Sequence, residues 1–334
     1  MYDLNTKKKE RICIIVAYFG EFPHYLPLWL KSIEMNPTVD FLLITDGEVE
    51  ECPANMTIYK TKLSRIQKEA SEVLGFKAAL ERPYKLCDYR PMYGLLFKEL
   101  LQEYDYWGHC DIDMIFGDLR TCFEKYGLNY YDRFLPLGHL SLYRNTDEVN
   151  NRFMSNKLVP GYKEVYSNEK NFVFDEMPGM TCLYHECSEY SFFEKRVFAD
   201  IASIYHRYRV IEEYPYDAKP RNYPYQIFTW ENGKCFREWM EKGKLYKEEY
   251  VYIHFKKRPN FTVDFDVLSA DGFYITNTGF YVKSGETTMD IINSLNPYPG
   301  MLYETGEYIR KKSRPYIEAV YRKAKRLKWL IKTS

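Results

Sequence analysis

The chain has no C-x-x-C pair and no cysteine–histidine run spaced for zinc. Its eight cysteines (Cys13, Cys52, Cys87, Cys110, Cys122, Cys182, Cys187 and Cys235) are scattered, which argues against a zinc module and fits reduced thiols in a core. No secretory leader pattern opens it. The longest apolar run near the start, Ile12 to Phe19, is too short to span a bilayer, so the expectation is a cytoplasmic, non-integral protein. Internal repeats and low-complexity linkers are also missing. Formal net charge is zero, with 47 basic and 47 acidic side chains, so no overall charge of one sign recommends the body to nucleic acid. What is abundant is aromatic: 33 Tyr and 21 Phe. Tyrosine serves sugar and base recognition and ordinary packing equally well, so this surplus decides nothing by itself.

The zero sum hides an asymmetry. From Tyr308 to the end there are ten Lys/Arg against one acid, Glu318, which gives the tail +9 and leaves −9 on the rest. At 334 residues we expect one main domain over residues 1–300 and a basic helical tail over 301–334. In the tail Ile317, Val320, Tyr321, Ala324, Leu327 and Ile331 fall on one stripe beyond Pro315, with Trp329 near the end. A basic amphipathic helix of this kind suits an anionic membrane surface, and a helix docked on the body is the alternative.

Along the body, Arg11 to Ala17 reads as a buried parallel strand, Leu26, Leu30 and Ile33 as a helix opened by Pro23 and Pro27, and Phe41 to Thr45 as a second buried strand. Strand, helix and strand form a βαβ unit whose ligand edge lies beyond the strand C-termini, where Tyr18 and Asp46 stand. Pro91 suits the first turn of a helix running through Leu95, Leu96, Leu100 and Leu101. A strand then leads into Asp111-Ile-Asp113, Phe134 to Tyr143 reads as one further strand, and Glu231-Asn-Gly-Lys234 as a hairpin turn. Residues 250–255 alternate as a strand that breaks at Lys256-Lys-Arg-Pro259.

Four constellations offer chemistry. Asp111 and Asp113, one residue apart on an extended chain, point the same way and present hard oxygen ligands to Mg²⁺ or Mn²⁺, leaving positions open for phosphate. Solvated strand-end carboxylates are the bland reading, and Asp264-Phe-Asp266 repeats the pattern after a basic loop rather than after an apolar-aromatic strand. His254 ends a strand just before Lys256, Lys257 and Arg258, an arrangement that offers an imidazole to a metal and positive charge to a departing diphosphate, or else a structural histidine beside a basic turn. Asp88 and Arg90 at a helix entrance suit a ribose and a phosphate, or simply cap the helix. Asp175 and Glu176 offer a catalytic base or a ligand for an acceptor hydroxyl, or cap a turn before Met-Pro-Gly.

The order Tyr18-Phe19-Gly20, Lys85-x-x-Asp88-x-Arg90-Pro91, Asp111-x-Asp113, Asp175-Glu176 and Ile253-His-Phe-Lys-Lys-Arg-Pro259 resembles the bacterial GT-A glycosyltransferases of capsule, exopolysaccharide and lipopolysaccharide synthesis. The resemblance covers about residues 10–260, and its most specific stretch is Trp107 to Leu119. It implies an α/β GT-A fold, a Rossmann-like nucleotide-sugar-binding sheet that is mostly parallel, with a C-terminal helical appendage. It implies a metal-dependent hexosyltransferase taking a sugar from a UDP-linked donor, galactose as first guess, to a glycan or lipid-linked oligosaccharide at the inner face of the membrane. Tyr18 and Asp46 would flank the base, and Asp88 and Arg90 would touch the donor. Asp111, Asp113 and His254 would surround Mn²⁺ or Mg²⁺, and Lys257 or Arg258 would steady the diphosphate. A catalytically silent GT-A protein in a membrane-bound assembly is the competing reading. A metal phosphohydrolase would need a richer His/Asp set.

Overall fold

Strand β1 (Ile12–Ala17) is apolar at every position because both of its faces are covered. The computed structural model describes residues 9–177, 179–186, 191–192, 197–212, 221–256, 258, 261–263, 265–310 and 312–313. On one face Ile12, Ile14 and Val16 pack against Trp29, Leu30 and Ile33 of helix α1 (Leu26–Glu34). On the other, Cys13 and Ile15 meet Ile66 and Ala70 of helix α2 (Leu63–Leu74), together with Leu86 and Tyr89 of the short helix α3 (Leu86–Tyr89). Each fully buried isoleucine here stabilises the fold by roughly 1.5–3 kcal/mol. Pro27 occupies the first turn of α1, where its missing N–H has no intrahelical partner to lose. Helix α2 stops on Gly75, which takes φ +73 at the C-cap.

The central sheet has seven strands in the order β3-β2-β1-β4-β7-β6-β8. Strands β2 (Asp40–Thr45), β3 (Met56–Lys60) and β4 (Tyr106–Cys110) join β1 in a parallel block. This is the α/β class and parallel centre that the apolar runs predict. Strand β5 (Met114–Phe116) leaves that sheet just beyond Asp113. The stretch read as one strand from Phe134 to Tyr143 is instead a hairpin, β6 (Arg133–Leu137) and β7 (Leu140–Arg144), turning at Gly138-His139. Apolar residues run almost unbroken through it because both arms are buried, so no polar turn signal marks the reversal. Strand β8 (Ser191–Phe192) completes the sheet.

Two further sheets follow. One is small, β5-β13-β9, with β9 (Ala199–Asp200) and β13 (Tyr252–His254). The other is a six-stranded sheet, β12-β11-β10-β15-β16-β14, built from β10 (Gln226–Glu231), β11 (Lys234–Glu241), β12 (Lys244–Tyr250), β14 (Thr262–Val263), β15 (Gly272–Ile275) and β16 (Gly279–Val282). Its β10–β11 turn is the anticipated Asn232-Gly233, both at positive φ (+48 and +79), the geometry that a tight hairpin requires. A separate apolar cluster including Phe228, Trp230, Ile253, Phe255 and Phe273 joins this sheet to β13.

A helix covers residues 301–310. It turns acids inward: Glu304 pairs with Arg207 and with Arg209 (2.6 Å), and Glu307 accepts the His206 N–H. The amphipathic stripe beyond Pro315 lies outside the described residues. Among the described residues no helix is long and apolar enough to cross a membrane, and the cysteines are free thiols.

Candidate active site

A cavity of roughly 640 Å³ opens over the C-terminal ends of β1 and β4, within the size range of small-molecule sites and at the edge where open α/β sheets bind ligands. Strand β1 delivers Tyr18 and β4 delivers Asp111 and Asp113, while Ile112 between them turns into the core. Residues 111–113 are not the extended continuation of β4 that the sequence suggests but a bend between β4 and β5, and this bend puts both carboxylates on the cavity side.

His254 reaches the same spot through strand pairing. Strand β13 runs antiparallel to β5 with His254 opposite Met114, and Phe255 donates its N–H to the Asp113 carbonyl (3.1 Å). His254 Nε2 lies 3.5 Å from Asp113 Oδ1 and 3.9 Å from Asp111 Oδ2. The ligand atoms of Asp111, Asp113 and His254 all lie within 4.8 Å of one another. Two carboxylates and one imidazole are a fitting donor set for Mn²⁺ or Mg²⁺.

Sequence reasoning missed the partner behind this set. Strand β9 pairs in parallel with β13, placing Asp200 beside His254. Its Oδ1 takes the imidazole Nδ1 at 2.9 Å, and Lys256 Nζ sits 3.0 Å from the same oxygen. His139 packs its ring against His254 (centroids 4.6 Å), and its Nδ1 shares a hydrogen bond with the Tyr252 hydroxyl at 3.0 Å. His139, Asp200 and His254 also form a second, fully buried potential ligand group, but Lys256 already sits on its carboxylate. Burial works against a charge on His254, yet the hydrogen bonds it donates to Asp113 and Asp200 raise its pKa to about 10. Asp200 is held far below the usual carboxylate range: burial opposes its charge, and the His254 hydrogen bond, His139 and Lys256 outweigh it. No sequence signal in the short strand Ala199-Asp200 marks this residue, because its role depends entirely on the pairing of β9 with β13.

Arg90 links the cation set to the acids. One guanidinium nitrogen bonds Asp111, and the other bonds Asp175 Oδ2 and the Gly138 carbonyl, each at 2.9 Å. Asp175 is almost wholly buried, and Glu176 accepts the Gly138 N–H at 3.0 Å. A Cβ on Gly138 would lie 2.5 Å from Asp175 Oδ2 and 2.7 Å from Glu176 Oε1, so the β6–β7 turn admits both acids only because that residue is glycine. Burial lifts the Asp175 pKa to about 7, against the pull of Arg90.

The remaining sequence candidates separate. Tyr18 lines the cavity and stacks on Phe22. The Asp46 carboxylate accepts the Gly20 N–H at 3.0 Å, tying the loop after β1 to the end of β2. Asp88 is enclosed: it pairs with buried Lys85 (2.9 Å) and accepts the N–H groups of Phe172 and Phe174. Its oxygens hold the loop that carries Asp175, and the residue also lines the cavity. Arg258 donates to the Ser203 and Ala202 carbonyls. Lys257 lies outside the described residues. Among the described residues of the basic turn, Lys256 lines the cavity, held at φ +50.

Residues 14–284 match the family described as "Family of unknown function (DUF6625)". This chain belongs to that family. No curated protein matches it. Among solved structures it is similar to apo mouse xyloside xylosyltransferase 1, with 9% identity and TM-score 0.37 over 58% of this chain and 88% of that one. It is also similar to the S. cerevisiae mannosyltransferase Ktr4p, with 12% identity and TM-score 0.25 over 39% of each chain. Likeness that remote leaves the chemistry of this family member to be argued from its own side chains.

Proposed function

We propose that this chain is a GT-A-type glycosyltransferase that moves a sugar from a nucleotide-sugar donor to a glycan acceptor with the help of a divalent cation. The observation that carries the reading is the convergence of Asp111, Asp113 and His254, from β4 and β13, at the floor of a cavity over the parallel strands. These three would hold Mn²⁺ or Mg²⁺, which neutralises the donor diphosphate when bound. Lys256 adds fixed positive charge where the leaving group's charge grows. Tyr18 offers a flat face to the base.

In the transfer, the acceptor hydroxyl oxygen forms a bond to the anomeric carbon as the bond from that carbon to the diphosphate breaks. The electron pair leaves on the nucleoside diphosphate, and the hydroxyl proton passes to the carboxylate of Asp175 or Glu176. The sequence resemblance to bacterial polysaccharide enzymes supports a UDP-linked donor, galactose first, and a glycan or lipid-linked acceptor at the inner membrane face.

The reading is tested by calorimetric titration with UDP, with and without Mn²⁺, and by a nucleotide-sugar hydrolysis panel. Tight UDP binding that requires Mn²⁺, with slow hydrolysis of one donor abolished by EDTA, is the expected result. A wild-type protein that binds no nucleotide in either condition refutes it and leaves a catalytically silent member of the fold.

A further inference from the structure

Asp111 stands between two chemically different groups of the cavity lining, with one oxygen on Arg90 and the other 3.9 Å from His254 Nε2. On one side stand Tyr25, Asp113, His254 and Lys256, the group assigned above to the cation and diphosphate. On the other stand Arg90, Tyr84, Val173, Asp175 and Glu176. The charge environment follows the same division: burial and then Asp113 raise the Tyr18 hydroxyl, whereas Cys87, burial and then Asp111 raise that of Tyr84.

Two features of the second group are hard to explain as packing. Tyr84 is 72% exposed, although it sits in a turn, Pro83–Lys85, whose next residues Lys85 and Leu86 are fully buried. The backbone is therefore anchored at this point, and it leaves the ring exposed at the edge of the cavity. Val173 is β-branched yet adopts φ +56 and is half exposed, a conformation that bulky residues avoid and that persists only where the surroundings enforce it. The enforcement is visible: Asp88 pins the N–H groups on either side, those of Phe172 and Phe174. The strained residue lines the cavity, together with Asn171.

An exposed aromatic ring beside carboxylates is the chemistry that recognises a pyranose. The apolar C–H face of the sugar stacks on the ring and its hydroxyls donate to the acids. An anionic ligand is disfavoured there, because Arg90 is already engaged by Asp111 and Asp175. We propose that Tyr84 and the Asn171–Val173 loop form the acceptor subsite, taking the terminal pyranose of a glycan with one hydroxyl turned to Asp175 and Glu176. This assignment rests on the glycosyltransferase reading.

The test is saturation-transfer NMR with a panel of methyl hexopyranosides on wild type, Tyr84→Ala and Tyr84→Phe, beside calorimetry with UDP and Mn²⁺. At least one glycoside should receive saturation mainly on the protons of one face. Tyr84→Ala should weaken it about tenfold, the order expected of one lost aromatic contact, and Tyr84→Phe should keep it. Affinity for UDP with Mn²⁺ should stay the same within about twofold in both variants. With UDP binding normal, glycoside binding that is absent from wild type or indifferent to Tyr84→Ala overturns the subsite alone. Failure of the wild type to bind UDP with Mn²⁺ overturns the transferase reading and the acceptor assignment with it.

Discussion

Asp175 carries a pH signature that falls near neutrality. Burial raises its carboxyl from an ordinary 3.8 to about 7, and Arg90 opposes that rise. A carboxyl whose pKa is higher in the folded state contributes stability that is fully present below its unfolded pKa and is lost as pH rises through the folded one. Wild type should therefore lose stability relative to Asp175→Asn between about pH 4 and about pH 7, read as urea midpoints across that range; parallel midpoints would show that the carboxyl is ionised throughout. Function runs the other way, since proton acceptance needs the ionised form, so transfer should rise through about pH 7. Substituting one of Asp175 and Glu176 by its amide should cost at least about a hundredfold in transfer with donor binding kept. If both amides turn over normally, the base is neither of them. At the cation set, Asp113→Asn and His254→Ala should each remove most Mn²⁺ affinity. Asp200→Asn should lower it about tenfold to a hundredfold, the usual effect of losing the partner that orients a ligating imidazole, and Mn²⁺ titration of the three variants ranks them. Equal Mn²⁺ affinity in wild type and His254→Ala would place the cation elsewhere or nowhere.

Elements explain which of these residues were legible in advance. The apolar strands β1 and β2, helix α1 and the Asn232-Gly233 hairpin could be read directly, because their patterns are local: both faces buried, a 3.6-residue stripe, two residues at positive φ. Asp111, Asp113 and His254 could be nominated from strand ends, but only the β13–β5 register, His254 opposite Met114, puts them together. Asp200 and the Gly138-His139 turn were invisible because pairing between strands distant in sequence creates their roles. Asp88 could be nominated from the helix entrance, but no pattern in the sequence shows that a buried Lys85 and two backbone amides bond to it. That last arrangement makes a prediction at this scale. Lys85→Met leaves Asp88 charged and unpaired in the interior, a change that typically costs about 3–5 kcal/mol, and it should loosen the loop through Phe172 and Phe174. Urea denaturation measures the first effect, and faster amide exchange at residues 172–175 the second. A loss below about 1 kcal/mol would mean that the pair behaves like a solvated one.

For the molecule as a whole, the question is how a body of net charge −9 and a tail of +9 divide the work. The helix over residues 301–310 belongs physically to the body, because Glu304 satisfies Arg207 and Arg209, and Glu307 caps the His206 amide. Removing that helix would strand buried arginines, so any loss of binding after a cut there would be confounded by damage to the fold. The informative cut falls after Ser313. It deletes Arg314, Arg322, Lys323, Lys325, Arg326, Lys328 and Lys332 with the single acid Glu318, and leaves every ion pair named above in place. Each basic residue near an anionic surface is worth on the order of 1 kcal/mol. Full-length protein should therefore float with vesicles containing phosphatidylglycerol, far less with phosphatidylcholine alone, and the difference should shrink at about 0.5 M salt as the charges are screened. The protein truncated after residue 313 should lose that flotation and keep its affinity for UDP with Mn²⁺, since the described residues that line the cavity over β1 and β4 all fall between 15 and 256. Equal flotation of both forms would remove the membrane role from the tail, and a truncated protein with weakened nucleotide binding would mean that the tail serves the catalytic body instead.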